Sequence, residues 1–176
     1  GDVEAWAAAA RWAADLHARF AERPPSAPPL QRRDAALHRR LLARARDVLG
    51  TRLAPALHAA AEAAIARLDA LPPTFIHGEL YPANVLVADD RVAPVDWEMA
   101  AVGPGVLDLA ALATGWSGEP RAAILAAYGA VAPADLAAAE LLLALQWLGW
   151  ADGWEAPPEQ RRDWLAEAHA AAERLR

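Results

Sequence analysis

The sequence predicts a mostly α-helical fold with a small β-hairpin, and three observations carry that expectation. The chain of 176 residues is 56% hydrophobic, and much of this is alanine, the strongest helix former. Apolar residues recur at three- and four-residue spacing in long segments punctuated by proline. One stretch breaks that period: two Val-rich runs, residues 85–87 and 92–95, flank the polar insert Asp89-Asp90-Arg91. This is the pattern of a hairpin.

Taken in order, the first helix covers residues 4–23, with Trp6, Ala9, Ala13, Leu16 and Phe20 on one face. Pro24-Pro25 and Pro28-Pro29 end it and make a stiff extended connection over 24–30. A second helix over 31–48 closes at Gly50. A third, over 54–70, puts Leu57, Ala61, Ile65 and Leu68 on its inner face, so that helices fill 31–71. A loop and the hairpin occupy 74–98. Helices near 106–114, 120–128, 133–149 and 158–175 complete a helical subdomain over 106–176, and several have proline near the start, where its missing N–H does no harm. There is no internal repeat, and the length suits a single domain, 1–176.

Chemistry concentrates at the hairpin. Symmetry about residue 90 would set Val85 opposite Val95 and Asn84 opposite Asp96. Directly opposed residues have Cβ atoms roughly 4.5–5.5 Å apart. An amide oxygen and a carboxylate at that separation can share one hard cation, and Mg²⁺ prefers oxygen ligands together with substrate phosphates. Glu79 lies five residues before Asn84 on the irregular loop. A carboxylate, an amide five residues on and a later carboxylate is the order of groups in a Mg²⁺-dependent phosphoryl-transfer site. Any one of these residues alone reads as an ordinary hairpin-end residue; the joint pattern carries the chemistry.

The run Phe75-Ile-His-Gly-Glu-Leu-Tyr-Pro-Ala-Asn-Val-Leu-Val87, then Val95-Asp-Trp-Glu98, Gly103-Pro-Gly105 and Asp108-Leu-Ala110, resembles the aminoglycoside phosphotransferase and choline kinase-like family. The family's loop reads His-Gly-Asp-x-x-x-x-Asn and its metal motif Asp-Trp-Glu or similar. The resemblance implies the C-terminal, helical lobe of a protein kinase-like fold. It implies that Asn84 and Asp96 hold Mg²⁺ and, through it, ATP, and that Glu79 takes the catalytic position, with His77 and Asp108 supporting the loop. Trp12-Ala-Ala-Asp-Leu-His17 looks like the helix that follows the interlobe hinge. All 17 basic residues are arginine, and no Gly-rich phosphate loop is present. The N-terminal nucleotide lobe is therefore expected to be absent: the chain is a fragment, or another polypeptide supplies that lobe, or the protein does not need it, and self-association through the surface where it would dock is a further expectation.

Glu79 departs from the family's aspartate. One added methylene shifts the carboxylate by up to about 1.5 Å, and a misplacement of about 1 Å can cost on the order of 10²-fold in rate. Two function classes follow. One is an ATP- and Mg²⁺-dependent phosphotransferase lobe acting on a hydroxyl of a small-molecule acceptor. The other is a non-catalytic kinase-like binding or assembly module. An acid–base hydrolase built on Glu79 and Asp96 lacks any accompanying nucleophile or oxyanion site.

Trp147, Trp150 and Trp154, with Asp152 among them, offer indole faces and a carboxylate to a cationic acceptor, or form a core stripe. Arg32, Arg33, Arg39, Arg40, Arg44 and Arg46 crowd the second helix and read as a basic surface or a solvated face. The net charge of −6 and the lack of a nucleic-acid motif favour the solvated face. With no cysteine there is no disulfide framework or thiolate chemistry. Residues 141–150 are too few to span a bilayer, and no signal-peptide pattern opens the chain. A cytoplasmic protein without nucleic-acid or membrane partners is expected.

Overall fold

The computed structural model describes residues 3–26, 30–88, 91–150 and 161–176. Its helices are α1 (Val3–Phe20), α2 (Ala35–Leu49), α3 (Pro55–Asp69), α4 (Val106–Ala113), α5 (Gly118–Tyr128), α6 (Pro133–Trp150) and α7 (Trp164–Arg174). Its strands are β1 (Gln31–Arg32), β2 (Thr74–Ile76), β3 (Val85–Ala88), β4 (Arg91–Pro94) and β5 (Ala101–Gly103). The fold is mostly helical with small sheets, as the periodicity requires. Two compact units result, one of residues 1–33 and 72–131, the other of residues 34–71 and 132–176. Among the described residues, no single helix is long and apolar enough to cross a membrane.

In the first unit, α1 packs on α5 and β2. It buries Ala7, Ala9, Ala10 and Ala13 together with His17. Beside it lies a three-stranded sheet in the order β1-β5-β2, with β1 parallel and β2 antiparallel to β5. This sheet corrects the expectation that the hairpin is the only β-structure. Strands of two and three residues are too short to show an alternating pattern in sequence. It also corrects the second helix, which was expected from residue 31. Gln31 and Arg32 pair with Ala101 and Val102 instead. The helix starts at Ala35 because the Asp34 side chain caps it, accepting the Leu37 N–H at 2.9 Å.

The hairpin β3–β4 pairs Val85 with Pro94, Leu86 with Ala93, Val87 with Val92 and Ala88 with Arg91. The register is therefore one residue off the expected one: Arg91 belongs to the strand, and Asn84 stands opposite Val95, whose N–H donates to the Asn84 carbonyl at 2.9 Å. The apolar pattern leaves this open, because Arg91 can close a loop or open a strand without changing it. Asp96 therefore lies one residue past Asn84's partner rather than opposite it.

The second unit assembles α2, α3, α6 and α7. Leu57, Ala61, Ile65 and Leu68 of α3 are buried, the face read from the sequence. They share a core with Leu42, Ala45 and Leu49 of α2, Leu141 and Leu145 of α6, and Ala168 and Ala171 of α7. Each fully buried leucine or isoleucine contributes about 1.5–3 kcal/mol. Gly149 lets α6 approach α2 closely, since a Cβ there would stand 3.1 Å from the Ala45 nitrogen. The last helix begins at Trp164, capped by Asp163; its expected start at residue 158 lies outside the described residues.

Candidate active site

The loop after β2 is hung from one buried carboxylate. Asp108, on the first turn of α4, is 0% exposed. Its Oδ2 accepts the His77 backbone N–H at 2.7 Å and its Oδ1 the Gly78 N–H at 2.9 Å. The Oδ2 atom also accepts His17 Nε2–H at 3.1 Å, and His17 Nδ1 takes the Tyr128 hydroxyl at 2.8 Å. Burial pushes the Tyr128 phenol well above its usual range, and the Asp108 charge adds to the shift. Tyr128 thus keeps its hydroxyl proton within hydrogen-bond reach of His17 Nδ1. Gly105 makes room for this chain of contacts, since a Cβ there would stand 2.6 Å from His17 Nδ1.

His77 joins the loop to the hairpin. Its Nε2–H donates to the Val95 carbonyl at 2.9 Å, and its Nδ1 accepts the Glu79 N–H at 3.3 Å. A carbonyl can only accept and an amide N–H can only donate, so these partners place the ring proton on Nε2. Gly78 adopts φ +87°, and a Cβ there would stand 2.1 Å from the Met99 carbonyl oxygen. Only glycine allows both the positive φ and this close approach of two backbones. Trp97 closes the cluster, stacked on Phe75 at 5.8 Å and tilted against His77 at 4.5 Å.

Glu79 and Asn84 lie on this loop, and Asp96 lies past the end of β4. The Glu79 carbonyl accepts both Tyr81 N–H at 2.7 Å and Asn84 Nδ2–H at 2.9 Å. Committing the amide nitrogen inward leaves Asn84 Oδ1 as the remaining ligand atom. Asp96 is exposed and, among the described residues, is the one non-glycine with positive φ, at 65°. A left-handed backbone at a non-glycine residue is a strained state that packed surroundings must impose; here the strand β4 ends on one side and a 3₁₀ turn, Trp97–Met99, begins on the other. The Glu79 carboxyl is held above its ordinary range. Desolvation is the main cause, Arg33 opposes it, and Asp96 and Glu98 add to it. Glu79, Asp96 and Glu98 therefore share one electrostatic neighbourhood.

Among the described residues, no group of three or more His, Asp or Glu side chains forms a preformed metal cage. An amide oxygen and an exposed carboxylate are nonetheless the donor types that suit Mg²⁺, which takes few protein ligands and completes its shell with water and phosphate. Trp147 and Trp150 lie in the second unit, edge to face at 5.6 Å, with Trp147 stacked on Trp164 at 5.6 Å. Asp152 and Trp154 lie outside the described residues.

Sequence reasoning missed Arg33, His17 and Tyr128. Arg33 was read as part of a basic helix face, yet it is 7% exposed and donates to the Gly78 carbonyl at 3.4 Å. The Asp34 cap was the available signal that Arg33 precedes the helix. His17 was visible only as half of the Leu16-His17 pair, and Tyr128 carried no signal of its own.

Comparison with known proteins agrees with this frame. Residues 2–142 match the model of the phosphotransferase enzyme family. No curated protein matches significantly. Among solved structures, the chain is similar to the macrolide 2'-phosphotransferase MphH from Brachybacterium faecium, with 28% identity and a TM-score of 0.62 over 99% of this chain and 60% of that one. A choline/ethanolamine kinase family protein from Mesorhizobium loti matches at 20% identity and TM-score 0.61, covering 97% of this chain and 59% of that one. The choline kinase LicA from Streptococcus pneumoniae matches at 16% identity and TM-score 0.64, covering 98% and 63%. The chain thus spans about three fifths of the length of these structures. With its loop, hairpin and helical frame matched over most of its length, the chain belongs to the phosphotransferase enzyme family.

Proposed function

We propose that the chain carries the transfer site of an ATP- and Mg²⁺-dependent phosphotransferase that phosphorylates a hydroxyl of a small molecule. The observation that carries this reading is the Glu79–Asn84 loop, fixed at its root by Asp108 and closed by Asn84 Nδ2–H on the Glu79 carbonyl, with Asp96 following the Val95 that pairs with Asn84. Asn84 Oδ1 and the Asp96 carboxylate would hold Mg²⁺, which neutralises phosphate charge when bound. Glu79, raised toward neutrality by its surroundings, accepts the proton of the acceptor hydroxyl as its oxygen bonds to the γ-phosphorus and the bond to the ADP oxygen breaks. The frame around His77 keeps the backbone of the Glu79 loop from shifting as that charge moves. Because the chain matches MphH at 28% identity, macrolide hydroxyls are the first acceptors to test, followed by aminoglycosides and choline.

The test is a thermal-shift titration with Mg·ATP, with Asp96→Ala as control. Ligand binding to the folded state raises Tm by mass action. A saturable, Mg²⁺-dependent rise that disappears in Asp96→Ala is expected, and γ-phosphoryl transfer to a hydroxyl acceptor should follow it. A rise indifferent to Asp96→Ala would sink the assignment. Glu79 in place of aspartate favours one alternative, a kinase-like module that binds or assembles without catalysing transfer. It predicts nucleotide binding with no transfer to any acceptor, unchanged by Glu79→Gln.

A further inference from the structure

Tyr128 ends α5 and belongs to none of the motifs named above, yet a continuous line of hydrogen bonds leads from its hydroxyl to the loop that carries Glu79. The hydroxyl lies 2.8 Å from His17 Nδ1, and His17 Nε2–H donates to Asp108 Oδ2 at 3.1 Å. Asp108 in turn accepts the His77 and Gly78 N–H groups. The last link is the Glu79 N–H, which donates to His77 Nδ1 at 3.3 Å. A hydroxyl both donates and accepts, so Tyr128 completes His17 Nδ1 with or without a proton on that nitrogen. Phenylalanine would keep the tilted ring contact, 5.7 Å between centroids, and lose only the hydroxyl's bond. Gly105 leaves space for the pair, since a Cβ there would stand 2.9 Å from the Tyr128 hydroxyl.

What this line fixes is an orientation. The His17 backbone is held separately, because the Thr74 hydroxyl donates to its carbonyl at 2.7 Å. The imidazole ring is held by its two nitrogens alone, and the bond at one nitrogen sets where the other points. Asp108 Oδ2 accepts both His17 Nε2–H and the His77 N–H, so a turn of the ring disturbs the loop's own bond. A misplacement of about 1 Å at a reacting group can cost on the order of 10²-fold in rate. The metal end is anchored by other means, since the Val95 N–H donates to the Asn84 carbonyl within the hairpin. We propose that Tyr128 is a positioning residue for phosphoryl transfer, acting through His17 and Asp108 to hold Glu79 against the acceptor hydroxyl. This inference rests on the transferase reading.

Tyr128→Phe in the intact chain should lower kcat roughly tenfold with KM for Mg·ATP unchanged. His17→Gln keeps an N–H donor but has no Nδ1 for the hydroxyl to meet. In that background Tyr128→Phe should change kcat by less than about twofold, because residues acting along one line are not additive. An unchanged kcat in Tyr128→Phe, or an equal loss in both backgrounds, would overturn the proposal. Amide hydrogen exchange gives a second readout that needs neither acceptor nor metal, and it serves if His17→Gln does not fold. The His77, Gly78 and Glu79 N–H groups should exchange about tenfold faster in Tyr128→Phe, beyond any change in the β2–β5 pairing. Uniform acceleration through the first unit would mark a merely structural role and overturn the proposal. Selective acceleration of the loop, with a Mg·ATP response indifferent to Asp96→Ala, would sink the transferase reading and leave Tyr128 as the residue that positions the loop.

Discussion

Two aspartates define the two ends of the site, and they are held in opposite ways. Asp108 is wholly buried, with both oxygens committed to loop N–H groups and a histidine. Asp96 is exposed and sits on a strained left-handed backbone. The same side chain supplies architecture at one end and, on the proposed function, chemistry at the other. What separates them is whether the carboxylate's hydrogen-bonding capacity is used within the fold or left for a ligand.

The sharpest way to break this contrast is Asp108→Ala. It strands two loop N–H groups and the His17 donor in a dry interior, and should cost about 3–5 kcal/mol, read as loss of cooperative unfolding or a large fall in Tm. Tyr128→Phe probes the far end of the same buried chain. Losing the hydroxyl that serves His17 should cost about 1 kcal/mol, measured by urea denaturation. Asp96→Gly tests the opposite sign. Glycine relieves the left-handed strain, so stability should rise by about 1 kcal/mol while the Mg·ATP response disappears. A loss of stability there would make Asp96 structural and collapse the distinction.

The smallest effect is a slope with pH. The Glu79 pKa is raised above the unfolded value of 4.5, so the folded state binds the proton more tightly. The stability this provides is full below the unfolded pKa and is lost as pH rises through the folded pKa. Glu79→Gln should therefore gain on the native chain as pH rises above the unfolded pKa and through the folded one, with no gain at the acid end. Equal pH profiles for the two chains would show that Glu79 is not desolvated.

The sequence displayed what repeats and what sits in a row. The α3 stripe Leu57, Ala61, Ile65 and Leu68 is a period and was legible as one. The loop from His77 to Asn84 is a contiguous motif. The hairpin's existence was legible, but its register was not, because Arg91 can close a loop or open a strand without changing the apolar pattern. Long-range geometry was invisible for a different reason. The bond between His17 and Asp108 spans 91 residues, and β1 and β5 are recognisable only once they have met. Arg33 belongs with these, since one buried arginine among several exposed ones looks the same in a row of letters.

The interleaving of the two units bears on the order in which the protein can be made. Residues 1–33 cannot complete their unit until residues 72–131 have left the ribosome, and residues 34–71 wait for everything after 131. Helices α2 and α3 must emerge, and remain without α6 and α7, while the loop, the hairpin and α4–α5 are still being translated. A ribosome-bound chain ending at Val131, carried clear of the exit tunnel by an unstructured C-terminal linker, should hold a protease-resistant first unit and a second that is still readily cut. The site would then be assembled before the molecule is, and α2 and α3 would be the segment most in need of a chaperone during synthesis.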